Sequence, residues 1–470
     1  MKEKIVAIDL GTSHLTGIAG ERQPDGRFNI ICCETVDTDG ALQRGNVYNR
    51  DKTASQVGLL IGKLEGHLKG LYIDRVYVGV GGHSLRTVTS IETADIAEGV
   101  AVTLDDLGVM YQNCLSHRID LLDRLDVAPA VYYADGQRDS NPVGVSCRRL
   151  EAHYKLIFGK QSIRRDIDSI FNGEKLHQEV AGIIITPLAL ADAMLSSDEK
   201  EVGCALVDFG AGVTSVTVFK GGELLGLATL PMGGNNITHD MERLPLPSAV
   251  AENIKKQYGS AVYLKEDEGK TINIDSDGVL QNLSLDHLHV IVEGRAKEIV
   301  ENVHERILRI IDPKMLGAGI VVAGQASELR NLTESLAEKT KVKVRLSAIR
   351  QGLVSGSEDL CGELTSLQAV AIMLQGTKDC VSPPITPAQP VVEDAATAKP
   401  VKDKPKSKPF WVRERGKNQP KPPKPQAEPP KTAESEETKP PTGDRSGSQS
   451  GGSNIKKIKT FVGDLFNEDE

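Results

Sequence analysis

Residues 5–20 read IVAIDLGTSHLTGIAG: an apolar run, Asp9, one further residue, Gly11, a small polar turn and a second apolar run. Residues 204–219, CALVDFGAGVTSVTVF, repeat that plan around Asp208 and Gly210. Each copy spells a β-hairpin whose tip carries a carboxylate among small residues. Small residues let backbone N–H groups approach an anion closely, and successive N–H groups in a tight turn form a concavity that binds one. A single Asp-x-Gly after a strand is an ordinary turn. Two copies, each opening one half of the chain, predict two hairpins that grip a polyphosphate from both sides. Gly11, Thr12, Ser13 and His14 would form one phosphate turn, and Gly210, Ala211, Gly212 and Val213 the other. Asp9 and Asp208 would hold Mg²⁺ through waters, because this ion dehydrates reluctantly and takes few carboxylates.

Two further stretches fit the same chemistry. GAGIVVAGQASEL (317–329) is a buried strand followed by a glycine turn that opens a helix, which offers the backbone of Gly324, Gln325 and Ala326 to a nucleoside. PSAVAENIKKQYG (247–259) reads as a helix with Glu252 and Lys255 one turn apart on one face. Such a pair is ordinarily a surface ion pair. In a nucleotide cleft it could instead hold ribose hydroxyls and the base edge.

Short apolar runs ending in glycine, proline or a carboxylate alternate with amphipathic helical patterns up to about residue 378, which predicts an α/β fold. Composition then changes abruptly: of 23 prolines in the chain, those from Pro383 to Pro441 are the majority, and apolar residues nearly vanish. Such a stretch cannot bury enough surface to offset its ordering entropy and reads as a disordered linker, interrupted by Phe410 and Trp411. The net charge of −9 argues against broad nucleic-acid binding, which needs clustered Lys and Arg. Seven cysteines form no CxxC pair, and their odd number suits no closed disulfide framework, which points to a reducing compartment. The N-terminus meets Asp9 too soon for a signal-peptide core, and no apolar run approaches the ~20 residues of a membrane span. A cytoplasmic, soluble chain is expected.

In this order the motifs resemble the ATPase superfamily that includes actin and the heat-shock chaperones. IDLGTSHL is similar to its first phosphate motif, VDFGAGVTSVTVF to the second, VVAGQASEL to the adenosine motif and SLQAVAIML to its second connecting helix. NPVGVSCRRLEAHYKLIFG (141–159) and the tail resemble more narrowly the FtsA family of bacterial cell-division proteins. The resemblance implies an actin-like two-lobed α/β fold with ATP and Mg²⁺ between the lobes and an FtsA-type extra subdomain in the first lobe. It divides the chain into first-lobe core (1–82 and 163–200), extra subdomain (83–162), second-lobe core (201–237), small subdomain (238–317), second-lobe core with the return helix (318–378), linker (379–453) and terminal helix (454–470). Thr103 would cap the subdomain's helix. Gly233 and Gly234 join the implied nucleotide contacts.

Implied too are self-assembly into a filament, binding of the FtsZ C-terminal peptide on the small subdomain, and recruitment of other division proteins through the extra subdomain. The place of action would be the cytoplasmic face of the cell membrane at the division site. Arg295, in EGRAKEIVENVHERI, offers a planar fork to an acidic peptide; an ion pair within the lobe is the equal alternative.

The chain departs from the superfamily pattern in three places. Ala211 and Val213 stand where a glycine and a threonine are usual, and the adenosine motif keeps only Gly324. No Gln or Glu opens the first connecting helix, ITPLALADAML, to orient an attacking water; Pro187 and Leu188 stand there. Competing readings are an ATP-consuming sugar kinase or chaperone, and a pilus-assembly relative of the same fold. A kinase would need an Asp base aimed at a substrate hydroxyl. A chaperone would need a β-rich domain where only the Pro-rich tail follows.

The last residues, NIKKIKTFVGDLFNEDE, place Ile455, Ile458, Phe461, Val462, Leu465 and Phe466 on one helical face. The segment is too short to span a bilayer and suits the interface. Its lysines lie near the positive helix end and its acids near the negative end, so it should fold on lipid and not in water. Burial of six apolar side chains, at up to ~1.5–3 kcal/mol each, has to offset ordering and acidic repulsion. One copy should bind weakly and an array by avidity. Vesicle flotation of the intact chain is expected to show binding that is lost on F461D/F466D; a truncated chain that floats equally well overturns the assignment.

Overall fold

The computed structural model describes residues 2–383 except 174, 245, 277–278 and 357–365. The chain divides into two units, Met1–Pro390 and Val391–Glu470. The second lies outside the described residues, and with it the amphipathic terminal segment and the Phe410–Trp411 pair.

The first hairpin stands in the middle of a six-stranded sheet. Its spatial order is Glu179–Ile185, Arg75–Val80, Lys4–Leu10, His14–Arg22, Phe28–Asp37 and Val354–Ser355. Lys4–Leu10 pairs antiparallel with His14–Arg22 and parallel with Arg75–Val80. A strand covered on both faces needs an unbroken apolar run, and Ile5, Val6, Ala7 and Ile8 are all fully buried. Helix Arg50–His67, N-capped by the Asn49 side chain, covers the sheet with Val57, Leu60 and Leu64.

The second hairpin opens the other half. Cys204–Phe209, Thr214–Lys220 and Glu223–Leu230 pair antiparallel in sequence, and Gly319–Ala323 runs parallel to the first of them. Val344–Leu346 completes that side. Helices Gly234–Met241, Ser248–Tyr258 and Leu285–Ile310 and the hairpin Thr271–Ser276/Val279–Ser284 complete this half. Its core joins Val207 and Ile320 to Ile237, Ala251, Leu288 and Val303.

Between the strands Arg75–Val80 and Glu179–Ile185 the chain builds a third body with a core of its own, including Val102, Met110, Cys114, Leu150 and Phe158. Its strands are Arg86–Asp95, Leu122–Ala134, Gln137–Asp139 and Arg149–Lys160. Its helix Leu104–Ser116 starts at Thr103, which accepts from Asp106 N while the Asp106 carboxylate accepts from Thr103 N, the expected cap. One residue pair, Ala228 with Arg86, joins this body to the second-half sheet, giving nine strands in continuous order.

Two helices cross between the halves. Thr186–Met194 follows directly on Glu179–Ile185, and Leu367–Leu374 comes back. Leu190, Ala191, Leu367 and Ala371 share one cluster with Cys204, Leu206 and Val321. On its other side the returning helix gives Val370, Ile372 and Met373 to the core of the first half.

The boundary placed at 378 is too early. Cys380 is fully buried, its N–H donates to Lys4 O, and Val381–Ser382 pair with Tyr72–Ile73. Two residues of β pairing and one buried thiol hold this stretch before the prolines begin. Among the described residues no helix is long and apolar enough to cross a membrane.

Candidate functional site

Hairpin register decides what faces the cleft. Asp9, near the end of Lys4–Leu10, pairs with Thr16, and Asp208 occupies the same place in its own hairpin opposite Ser215. These four residues line one cleft together with Gly11, Thr12, Ser13 and His14 from the first turn and Gly210, Ala211 and Val213 from the second. Thr186, Pro187, Gln325 and Gln368 complete much of the wall.

The two turns face each other directly, since a Cβ placed on Gly212 would lie 2.8 Å from Thr12 Cγ2. The first turn is fixed from outside: Thr12 Oγ1 accepts from Gly45 N at 2.9 Å, and Thr38 Oγ1 donates to Thr12 O at 2.7 Å. The second is held from behind, with Gly234 N donating to Gly210 O and Asn235 N to Ala211 O. That approach leaves no room for a side chain at Gly233, whose Cβ would stand 2.4 Å from Gly210 O. Gly324 has φ +84°, and a Cβ there would meet Asp208 Oδ1 at 2.4 Å. Gly233 and Gly324 therefore pack against the backbone and carboxylate of the second hairpin, with Gly234 against Ala326 beside them.

Both carboxylates carry an unusual charge balance. Burial, then the nearby Asp208 carboxylate, pushes Asp9 up to about 7, against a hydrogen bond from Thr186 Oγ1 at 3.2 Å. Burial pushes Asp208 up to about 6, against donation from Gln368 Nε2 at 3.1 Å. Two acids that resist ionising together are a place where a cation would relieve the repulsion. Among the described residues no group of three or more His, Cys, Asp or Glu could hold a metal ion by itself. Two carboxylates with cleft space beside them fit Mg²⁺, which keeps waters and takes phosphate oxygens.

Glu252 and Lys255 are not the surface pair that the helical spacing allows. Lys255 is 9 % exposed, and its ammonium donates to Glu252 at 2.6 Å, Thr238 Oγ1 at 2.8 Å and Gly234 O at 3.1 Å. Burial pushes Lys255 down, and the Glu252 partner opposes it. Glu252, despite burial, is held below its ordinary value by hydrogen bonds from Lys255 and Thr238. The pair ties Ser248–Tyr258 to the first turns of Gly234–Met241. The turn after Gly324 also differs from expectation: Gln325–Glu328 is a single 3-10 turn, and the α-helix begins at Leu332. Arg295 takes the intralobe alternative, donating to Asp240 at 2.6 Å and to Glu298.

Sequence reasoning missed Thr16, Ser215, Thr186 and Gln368. A signal existed for the first two, since each follows its aspartate by the same interval in both hairpins. Gln368 is the one polar residue within LQAVAIML, and an isolated amide in an apolar helix marks a polar neighbour.

The family model for "Cell division protein FtsA" matches residues 205–362. The chain is 30% identical over 350 residues to the cell division protein FtsA of Porphyromonas gingivalis, covering 73% of each chain. It is 29% identical over 361 residues to the Pseudomonas aeruginosa protein of that name, covering 73% of this chain and 82% of that one. Among solved structures, the PilM-PilN type IV pilus biogenesis complex matches with a TM-score of 0.55 at 14% identity, over 79% of this chain and 97% of that one. At that identity the likeness concerns the fold, which is actin-like.

The raised carboxylates carry a sign for stability. A folded-state pKa above the unfolded one adds stability that is complete below pH ~4 and is lost as pH rises through the folded value. For Asp9 that loss runs from about pH 4 and is complete once pH passes about 7. Replacing Asp9 by Asn removes the ionisation, so thermal melting of ligand-free D9N should rise relative to the parent at pH 8, with the difference shrinking progressively as pH falls to 5 and towards 4. Equal differences at both pH values would contradict the repulsion described above.

Proposed function

The chain belongs to the FtsA family of cell-division proteins, and from that membership and the cleft we propose a nucleotide-controlled scaffold. It binds ATP with Mg²⁺ in the cleft, assembles into filaments on the cytoplasmic face of the cell membrane at the division site, and ties the FtsZ ring to that membrane. The observation that carries the nucleotide part is the pair of hairpins presenting Asp9 and Asp208 to one cleft. Backbone N–H groups of the turns 11–14 and 210–213 receive the phosphates, with Gly210 N closing its own turn on Val213 O. Asp9 and Asp208 hold the ion through its waters. Gln325, with Gly324 and Ala326 behind it, faces the nucleoside, while Gly233, Gly234, Glu252 and Lys255 brace that side.

A kinase reading is less well supported. Among the described residues lining the cleft, the carboxylates are Asp9 and Asp208, and both are accounted for by the ion. A substrate base would have to come from elsewhere. With no carboxylate or amide opening the helix Thr186–Met194, turnover should be slow, as suits a switch.

Membrane attachment falls to the amphipathic face of residues 455–466, and other division proteins to the extra subdomain. The FtsZ peptide is assigned to the small subdomain, along Leu285–Ile310, where Val290 is 62 % exposed. Arg295 can serve an acidic peptide there only by exchanging Asp240 or Glu298 for it. R295E should then weaken binding of the FtsZ C-terminal peptide at least fivefold in fluorescence anisotropy. Unchanged affinity in a folded R295E chain removes Arg295 from that surface.

The nucleotide reading is tested by calorimetry on Asp208→Ala. Mg-ATP affinity should fall at least tenfold while the melting temperature of the ligand-free chain does not fall. Phosphate release by the parent should stay well below one per second. Unchanged Mg-ATP affinity in folded D208A would falsify the assignment.

A further inference from the structure

The cleft contains one amide that the reading above leaves without a task. Gln368 is the second residue of the returning helix Leu367–Leu374, and its side chain lines the cleft beside Gly210, Ala211 and Val213. Its Nε2 donates to Asp208 Oδ1 at 3.1 Å. The crossing helix Thr186–Met194 makes the matching contact on the other side, where Thr186 Oγ1 donates to Asp9 Oδ1. Each carboxylate thus receives a hydrogen bond from the first turn of one crossing helix. The two partners differ in what else they offer. A threonine hydroxyl is short and spends its proton on Asp9. A glutamine carries a carbonyl oxygen besides its N–H groups, so it can accept from a second group while holding Asp208.

We propose that Gln368 positions the attacking water for nucleotide hydrolysis, the task for which the helix Thr186–Met194 has no amide or carboxylate. This rests on the nucleotide reading of the cleft. The lining holds two amides, and Gln325 sits on the turn after Gly324, on the nucleoside side. Gln368 lies on the side of the second hairpin, anchored to Asp208, one of the two carboxylates assigned to the ion. A water accepted by its carbonyl has one O–H direction fixed and a lone pair left for the terminal phosphorus. The water oxygen bonds to that phosphorus, the bond to the β,γ-bridging oxygen breaks with its electron pair passing to the diphosphate, and the water proton ends on the released phosphate. An amide orients but does not take the proton, so the step is accelerated only modestly. That agrees with a switch that turns over slowly.

The test compares Gln368→Ala and Gln368→Thr with the full-length parent. Q368T imitates Thr186, keeping a hydroxyl near Asp208 while removing the carbonyl. Three quantities are read: ligand-free melting temperature, affinity for Mg-AMPPNP by calorimetry, and single-turnover phosphate release from Mg-ATP. Expected for both variants is affinity within about threefold of the parent and phosphate release reduced at least tenfold. A role confined to holding Asp208 would weaken Mg-AMPPNP binding and hydrolysis together in Q368A and spare both in Q368T; that pattern overturns the proposal. Phosphate release unchanged in either folded variant overturns it as well. A parent that binds Mg-AMPPNP but releases no phosphate overturns it while leaving the nucleotide reading intact, and a parent that binds neither nucleotide removes both. Should Q368A not fold, Q368T carries the same comparison.

Discussion

Two acids stand at the floor of one cleft, close enough for the charge of Asp208 to raise the proton affinity of Asp9. Much of the neighbouring architecture serves to keep them there. Each lies one residue from the end of an interior strand, where a one-residue slip in register would turn the carboxylate to the opposite face. Each receives a hydrogen bond from a helix that crosses between the halves. The ligand-free protein therefore holds a local repulsion in place with rigid elements, and a cation is the natural complement to that arrangement.

The same logic appears twice because the halves repeat a plan. Strand, aspartate, tight turn and antiparallel return recur, with a hydroxyl residue opposite each aspartate. The halves differ in how their turns are braced. Thr12 and Thr38 side chains fix the first turn, whereas backbone N–H groups of a following helix fix the second. That second bracing needs backbone in contact with backbone, so the region collects Gly233, Gly234 and Gly324. Ala211 and Val213, the departures from the superfamily pattern, both line the cleft, and the Ala211 carbonyl takes part in the bracing by accepting from Asn235 N.

What could be read in the sequence was what local chemistry determines. A strand ending in Asp-x-Gly reports its own turn, and so both hairpins and their carboxylates were legible. The Thr103 cap was legible for the same reason. Contacts set by how distant segments meet were not. Nothing near Gln368 announces Asp208, because 160 residues separate them. Glu252 and Lys255 have the spacing of an exposed pair and of a buried one alike; the helix start at Gly234, which supplies a carbonyl to the ammonium, decides between them. The single pair joining Ala228 to Arg86 leaves no periodic trace, since each strand alternates correctly with or without it.

The returning helix has a consequence for the order in which the chain can be assembled. Val370, Ile372, Met373 and Cys380 pack in the same core as Ile5, Val6, Leu15 and Leu60. A ribosome delivers those first residues long before the last ones exist. Cores whose members are far apart in sequence close slowly, and exposed apolar strands are open to association while they wait. The second half, whose core runs from Ala205 to Leu336, is complete in sequence before the first half is. The half that is made first thus finishes last. Throughout most of synthesis the strand bearing Asp9 lacks the helix that covers it, and the cleft comes into being only when nearly all of the described chain has been made.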